Sequence, residues 1–221
     1  MDRSIRTLGR FSAILCDLDG TLVDSRAALA RSWERWLREE GVVVSAADLP
    51  HGVPANTIIE TVIPSHRREM SAARLQDIEI ADADGVREMV GARRFLARLP
   101  SDKWAIVTSS TSEVALARMR AAMIPPPAVL VTSDDVTGGK PSPEPFLRAA
   151  ALLGVSPDRC LVIEDSDAGV AAGLAAGCAV LIVSGDRTVI PEDSAAPIFV
   201  SDLRLVRAHS DGDAVVVELH G

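Results

Sequence analysis

The chain has 221 residues, 48% of them hydrophobic but only 3% aromatic and none tyrosine, and carries a net charge of −8. That length suits one large domain or one domain with an insert, and the core has to be built from Ala, Val, Leu and Ile. The acidic balance disfavours nucleic acid as a partner, since phosphate backbones bind basic surfaces. No apolar run approaches the ~20 residues of a membrane span, and residues 1–10 lack the apolar stretch of a secretory signal, so neither membrane nor export is expected.

The first element is a short apolar run, Phe11 to Cys16, that ends abruptly in Asp17-Leu18-Asp19-Gly20-Thr21-Leu22. It reads as a buried central strand. Side chains two apart on an extended chain point the same way, so Asp17 and Asp19 can face one small volume, and Gly20 lets the chain turn at once. Two adjacent carboxylates repel unless a cation or a shared proton relieves them.

Residues 25–40 read as an amphipathic helix, with Leu29, Trp33, Trp36 and Leu37 at helical spacing. Further helices are expected over 55–62 and 65–81, followed by a connection at 82–85, so residues 26–88 are predicted to be wholly helical. The two tryptophans are expected to be packing residues of that bundle. Beyond it the pattern alternates: helix 91–99, strand 104–108, helix 112–122, strand 128–131, helix 143–153, strand 160–164, helix 168–176, strand 179–183. Repeated helix–strand units with apolar strands predict a parallel sheet covered on both faces. The runs 198–200 and 214–219 are expected as additions to its edge. The fold class is thus α/β, a Rossmann-like domain over 1–25 and 89–221 with a helical insert over 26–88. Cys16, Cys160 and Cys178 lie in or beside apolar runs, as buried reduced thiols of a cytoplasmic protein would.

In parallel sheets ligands bind outside the carboxyl ends of the strands. Those ends carry Asp17 and Asp19, then Thr108, Ser109 and Ser110, then Glu164, Asp165 and Ser166. Gly139-Lys140-Pro141 stands between the third and fourth strands, and Lys140 is one of only two lysines among 23 basic residues. Each residue has an ordinary explanation alone: Thr108 a strand-end cap, Lys140 a surface charge, Glu164-Asp165 a helix cap. Their meeting on one rim is what points to chemistry. Oxygen ligands from Asp17, the Asp19 backbone and Asp165 suit Mg²⁺, which also takes substrate phosphate oxygens, and Thr108, Ser109 and Lys140 would hold the rest of that phosphate.

Asp17-x-Asp19-Gly20-Thr21-Leu22, Thr108 closing the second strand, Lys140 before a helix and Glu164-Asp165 closing the fourth resemble the four motifs of the haloacid dehalogenase superfamily. The resemblance covers nearly the whole chain. Its branch is similar to the small sugar-phosphate and glycerol-phosphate phosphatases. It implies that Asp17 is the nucleophile, Asp19 the acid and base, Mg²⁺ the cofactor and Glu164 a group reaching the metal through water. It also makes the helical insert a cap, with His51 and the polar stretch Gln76-Asp77-Ile78-Glu79 as its pointed features. The substrate would be a small phosphomonoester, and the protein a monomer. A β-phosphoglucomutase-like mutase shares the motifs, but the positions matching its cap Arg and His are Ala55 and Leu29; Arg67 or Arg74 would have to replace the missing cation. A non-catalytic binding protein on the same fold is the alternative of a different class.

Overall fold

The computed structural model describes residues 5–44, 49, 55–183, 185 and 198–220. Its centre is the strand β2 (Ala13–Cys16), every residue of which is buried. β2 lies between β5 (Trp104–Val107) and β7 (Cys160–Glu164), and the sheet continues through β6 (Val129–Val131) on one side, β8 (Ala179–Val183) and β9 (Ile198–Val200) on the other. The order is β6-β5-β2-β7-β8-β9, and every pairing is parallel.

Alternation along β2 explains the burial on both faces. Ile14 and Cys16 join one apolar cluster, with Phe95, Ile106, Met119 and Ile163. Ala13 and Leu15 join the other, with Val107, Phe146, Val162 and Ala172. Helices α4 (Ala92–Leu96), α5 (Ser112–Ala121), α6 (Glu144–Leu152) and α7 (Asp167–Ala175) carry the chain between strands, at ranges within a few residues of those expected. All three cysteines are buried and free. No helix among the described residues is long and apolar enough to cross a membrane.

Two expectations are corrected. The run 214–219 does not extend the parallel sheet. As β11 (Ala214–His220) it is the middle strand of a separate antiparallel sheet, between β1 (Ile5–Phe11) and β10 (Val206–Asp211). Phe11, Val215, Val217 and Leu219 from that sheet cover the same cluster as Ile14 and Cys16, so it closes one face of the core. Nor is 26–88 wholly helical. Arg87–Glu88 form a two-residue strand, β4, antiparallel to β3 (Val23–Asp24), which ties together the chain entering and leaving the helical segment.

That segment holds α1 (Arg26–Glu40), α2 (Ala55–Val62) and α3 (Arg68–Ala81). They pack around a cluster of their own that includes Trp33, Trp36, Ile59, Leu75 and Ile78. The indoles meet edge to face at 5.3 Å, and Trp36 donates to the Ser71 carbonyl at 2.9 Å, so both are structural as expected. Helix α3 also lies against α5 of the α/β layer, where the Gln76 amide donates to Glu113 at 2.8 Å.

Candidate active site

β2 delivers Asp17 at its carboxyl end, where its N–H still bonds to the Ile163 carbonyl of β7 at 2.9 Å. The residue is 6% exposed, and its carboxylate accepts from Lys140 Nζ at 2.5 Å. The Lys140 ammonium has three donors, and all are taken: Asp17 Oδ1, Glu164 Oε1 at 2.6 Å and the Val107 carbonyl at 2.9 Å. The Phe146 ring lies 5.2 Å from it. Burial pulls the Lys140 pKa down, but Asp17 and Glu164 together outweigh it, so the group stays protonated.

Glu164 is sealed at 0% exposure. Its second oxygen accepts from the N–H groups of Asp165 and Ser166 at 2.9 Å and from the Ser166 hydroxyl at 3.0 Å. The cradle depends on Gly169 of α7, where a Cβ would sit 1.7 Å from Glu164 Oε1. With both oxygens occupied, Glu164 is the least available of the acidic residues for a metal. Asp165, solvent-exposed at the rim, accepts from the Thr21 hydroxyl at 3.3 Å.

The loop after β2 approaches Asp165 as closely as a backbone can. Gly20 has φ +94°, and a Cβ there would lie 2.0 Å from Asp165 Oδ2. Its N–H bonds to Val23 at 2.8 Å, closing the turn into β3. Asp17, Glu164 and Asp165 each offer an oxygen within 4.8 Å of the others. Among the described residues one ammonium, Lys140, is bonded to two of these three carboxylates, and burial together with the excess negative charge shows in the acidities of Asp17 and Asp165. Asp17 is held well above the usual carboxylate range, first by burial and then by Glu164 and Asp165 against the pull of Lys140. Burial and Glu164 raise Asp165 to about 7. A hard divalent cation on these oxygens would relieve both, so the donor set fits Mg²⁺.

Asp19 turns away from this cluster. Its Oδ2 accepts from Arg118 Nη1 at 2.8 Å and from the Ser110 hydroxyl at 3.1 Å. The other oxygen, Oδ1, is buried with no hydrogen-bond partner among the described residues. Arg118 Nη2 continues to Glu79 of α3 at 3.0 Å. Burial raises the Glu79 pKa, with Arg118 opposing it. Thr108, 4% exposed, accepts from the Ser110 N–H at 3.1 Å, and half-buried Ser109 lies in the same loop.

The structure therefore brings Asp17, Lys140, Glu164 and Asp165 into one cluster, with Asp19, Thr108 and Ser109 on the adjoining loops. His51 lies outside the described residues. Arg67 and Arg74 are engaged by Glu40 and Glu39 within the helical segment. Sequence reasoning missed Arg118. Its signal was position: it falls on the buried face of α5, four residues after Val114 and three after Ala115.

Beside Asp165 opens a cavity of about 440 Å³, lined by Gly20, Arg26, Met89, Asp167 and Phe199 among others. A family model described as haloacid dehalogenase-like hydrolase matches residues 14–183. The chain is 41% identical over 181 residues to hexitol phosphatase A of Escherichia coli, covering 79% of this chain and 84% of that one. It is 31% identical to glycerol-1-phosphate phosphohydrolase 2 of Saccharomyces cerevisiae, over 78% of this chain and 74% of that one. The crystal structure of CbbY from Rhodobacter sphaeroides in complex with phosphate superposes with a TM-score of 0.75, covering 87% of this chain and 94% of that one; at 22% identity this speaks for the fold alone.

Proposed function

The chain belongs to the haloacid dehalogenase-like hydrolases, on the branch of small sugar- and polyol-phosphate phosphatases, and from that premise we propose a Mg²⁺-dependent phosphomonoester hydrolase of the cytoplasm. Its substrate is a small phosphorylated sugar or polyol, as the relatives' hexitol and glycerol phosphate activities suggest. The observation that carries the reading is the cluster of Asp17, Asp165 and Glu164 around one buried ammonium at the carboxyl ends of β2 and β7.

Asp17 is the nucleophile. One of its oxygens bonds to phosphorus as the ester P–O bond breaks, giving an aspartyl phosphate, and Asp19 delivers a proton to the departing alcohol oxygen. Asp19 then takes a proton from the water that attacks phosphorus, releasing inorganic phosphate and restoring the Asp17 carboxylate. Lys140 favours the anionic form of Asp17 that the attack needs, and Glu164 holds Lys140 in place. Thr108 and Ser109 position the phosphoryl oxygens. Asp17, Asp165 and the Asp19 backbone would hold Mg²⁺, which would supply Lewis-acid stabilisation of the charge on the transferring group. Residues 26–88 act as a cap over the core formed by 1–25 and 89–221, keeping bulk water from the first step.

The test is phosphate release from a panel of hexitol, glycerol and sugar phosphates, with Mg²⁺ or excess chelator. Release is expected with Mg²⁺, and is expected to stop in chelator and in Asp17→Asn. A wild-type rate in either condition refutes the mechanism.

A further inference from the structure

Arg118 is 3% exposed, and its guanidinium touches two carboxylates from different parts of the fold. Asp19 belongs to the loop after β2, while Glu79 belongs to α3 of the helical segment. A carboxylate turns easily about its last torsion, because that torsion is broad and two-fold. Here the rotation is blocked. Oδ2 of Asp19 receives two bonds, one charge-assisted, and the Ser110 hydroxyl that gives the second is itself bonded to Arg118 at 2.8 Å. Buried polar atoms are nearly always paired, so Oδ1, which has no partner among the described residues, is the oxygen that remains for a ligand.

We propose that Arg118 is a positioning residue for proton transfer: it locks Oδ2 of Asp19 so that Oδ1 carries the proton, and Glu79 makes the lock depend on α3 being docked. A lone guanidinium buried beside one carboxylate would be undercompensated by its other N–H groups. Glu79 satisfies that end, and it can do so only from α3. Docking of the helical segment thus orders the acid before the ester bond breaks. The inference rests on Asp19 being the acid and base of the phosphatase proposed above.

A poor leaving group distinguishes this role from mere core stability. An alkoxide needs a proton to leave, whereas p-nitrophenolate leaves without one. The experiment measures kcat/KM of the full chain with Mg²⁺ on glycerol 1-phosphate and on p-nitrophenyl phosphate, for wild type, Arg118→Lys, Arg118→Met and Glu79→Gln. With acid catalysis worth at least about 10²-fold, both Arg118 variants should lose about 10²-fold on the alkyl ester and less than about threefold on the aryl ester. Glu79→Gln, which keeps the shape of the site, should show the same contrast at about five- to tenfold, and it decides the matter if the Arg118 variants do not fold. Equal losses on both esters, or no loss on either, overturn the proposal. Wild-type protein inactive on every ester of the panel would instead defeat the phosphatase reading, and this inference would fall with it.

Discussion

Alanine in place of glycine inside a helix normally stabilises it by about 1 kcal/mol. At Gly169 of α7 the sign should reverse. A Cβ there would lie 1.7 Å from Glu164 Oε1 and 1.9 Å from its Cδ, where 3.4–4 Å is ordinary contact. The carboxylate would have to move by roughly 1.5 Å, and at 0% exposure it has no free space to enter. The move breaks the 2.6 Å pair with Lys140 and the three bonds from Asp165 and Ser166. Breaking a buried ion pair costs about 3–5 kcal/mol, so the net loss after the helix gain is about 2–4 kcal/mol. For a chain of this size that lowers Tm by about 4–16 °C. Thermal unfolding followed by circular dichroism measures it, and phosphate release should fall as well, because Lys140 loses its anchor. In the double variant Gly169→Ala/Glu164→Asp the shorter carboxylate makes room, so its Tm should lie above that of Gly169→Ala alone. A Tm unchanged or raised in Gly169→Ala refutes the reasoning.

Gly20→Ala should spare the fold and damage the metal site. The φ of +94° costs about 1–3 kcal/mol for a residue with a Cβ, and that Cβ displaces Asp165, so the Mg²⁺ concentration for half-maximal activity should rise at least about tenfold; a wild-type Mg²⁺ dependence would contradict the close approach. The raised carboxylates predict an inverse pH dependence of stability without metal. In chelator the native state keeps protons on Asp17 and Asp165 that the unfolded chain releases near 3.8. Stability therefore falls as pH rises above about 4, with Asp165 contributing up to about 7 and partly screened by solvent, and buried Asp17 contributing the larger part through its own raised range. Melting curves at pH 5 and pH 8 check this: Tm should be lower at pH 8 in chelator, and Mg²⁺ should reduce the gap. A Tm in chelator that rises between those values would refute it.

Much of the site was legible in the sequence because parallel strands are short, apolar and buried on both faces. Their ends are marked by the first polar residue, so Asp17, Asp19, Thr108 and Glu164-Asp165 could be placed on one rim before any coordinates. Lys140 stood out as one of two lysines in a chain that otherwise writes its cations as arginine. Arg118 did not stand out, since an arginine in a helix ordinarily faces water, and only the docking of α3 and the Asp19 loop around α5 makes it a buried bridge. Glu79 was visible as part of a polar stretch, but its partner was not. That Glu164 would sit sealed against Lys140 was not legible either, because it depends on the missing side chain of Gly169 in α7. The antiparallel sheet escaped notice because β1 and β11 lie at opposite ends of the chain, and alternation within one strand carries no record of its partner. β3 and β4 are two residues each, too short for any periodicity. Local pattern determined which residues form elements and which polar groups close the strands. Close approach between distant segments decided how those groups are charged, paired and oriented, because those properties depend on distances that no local pattern encodes.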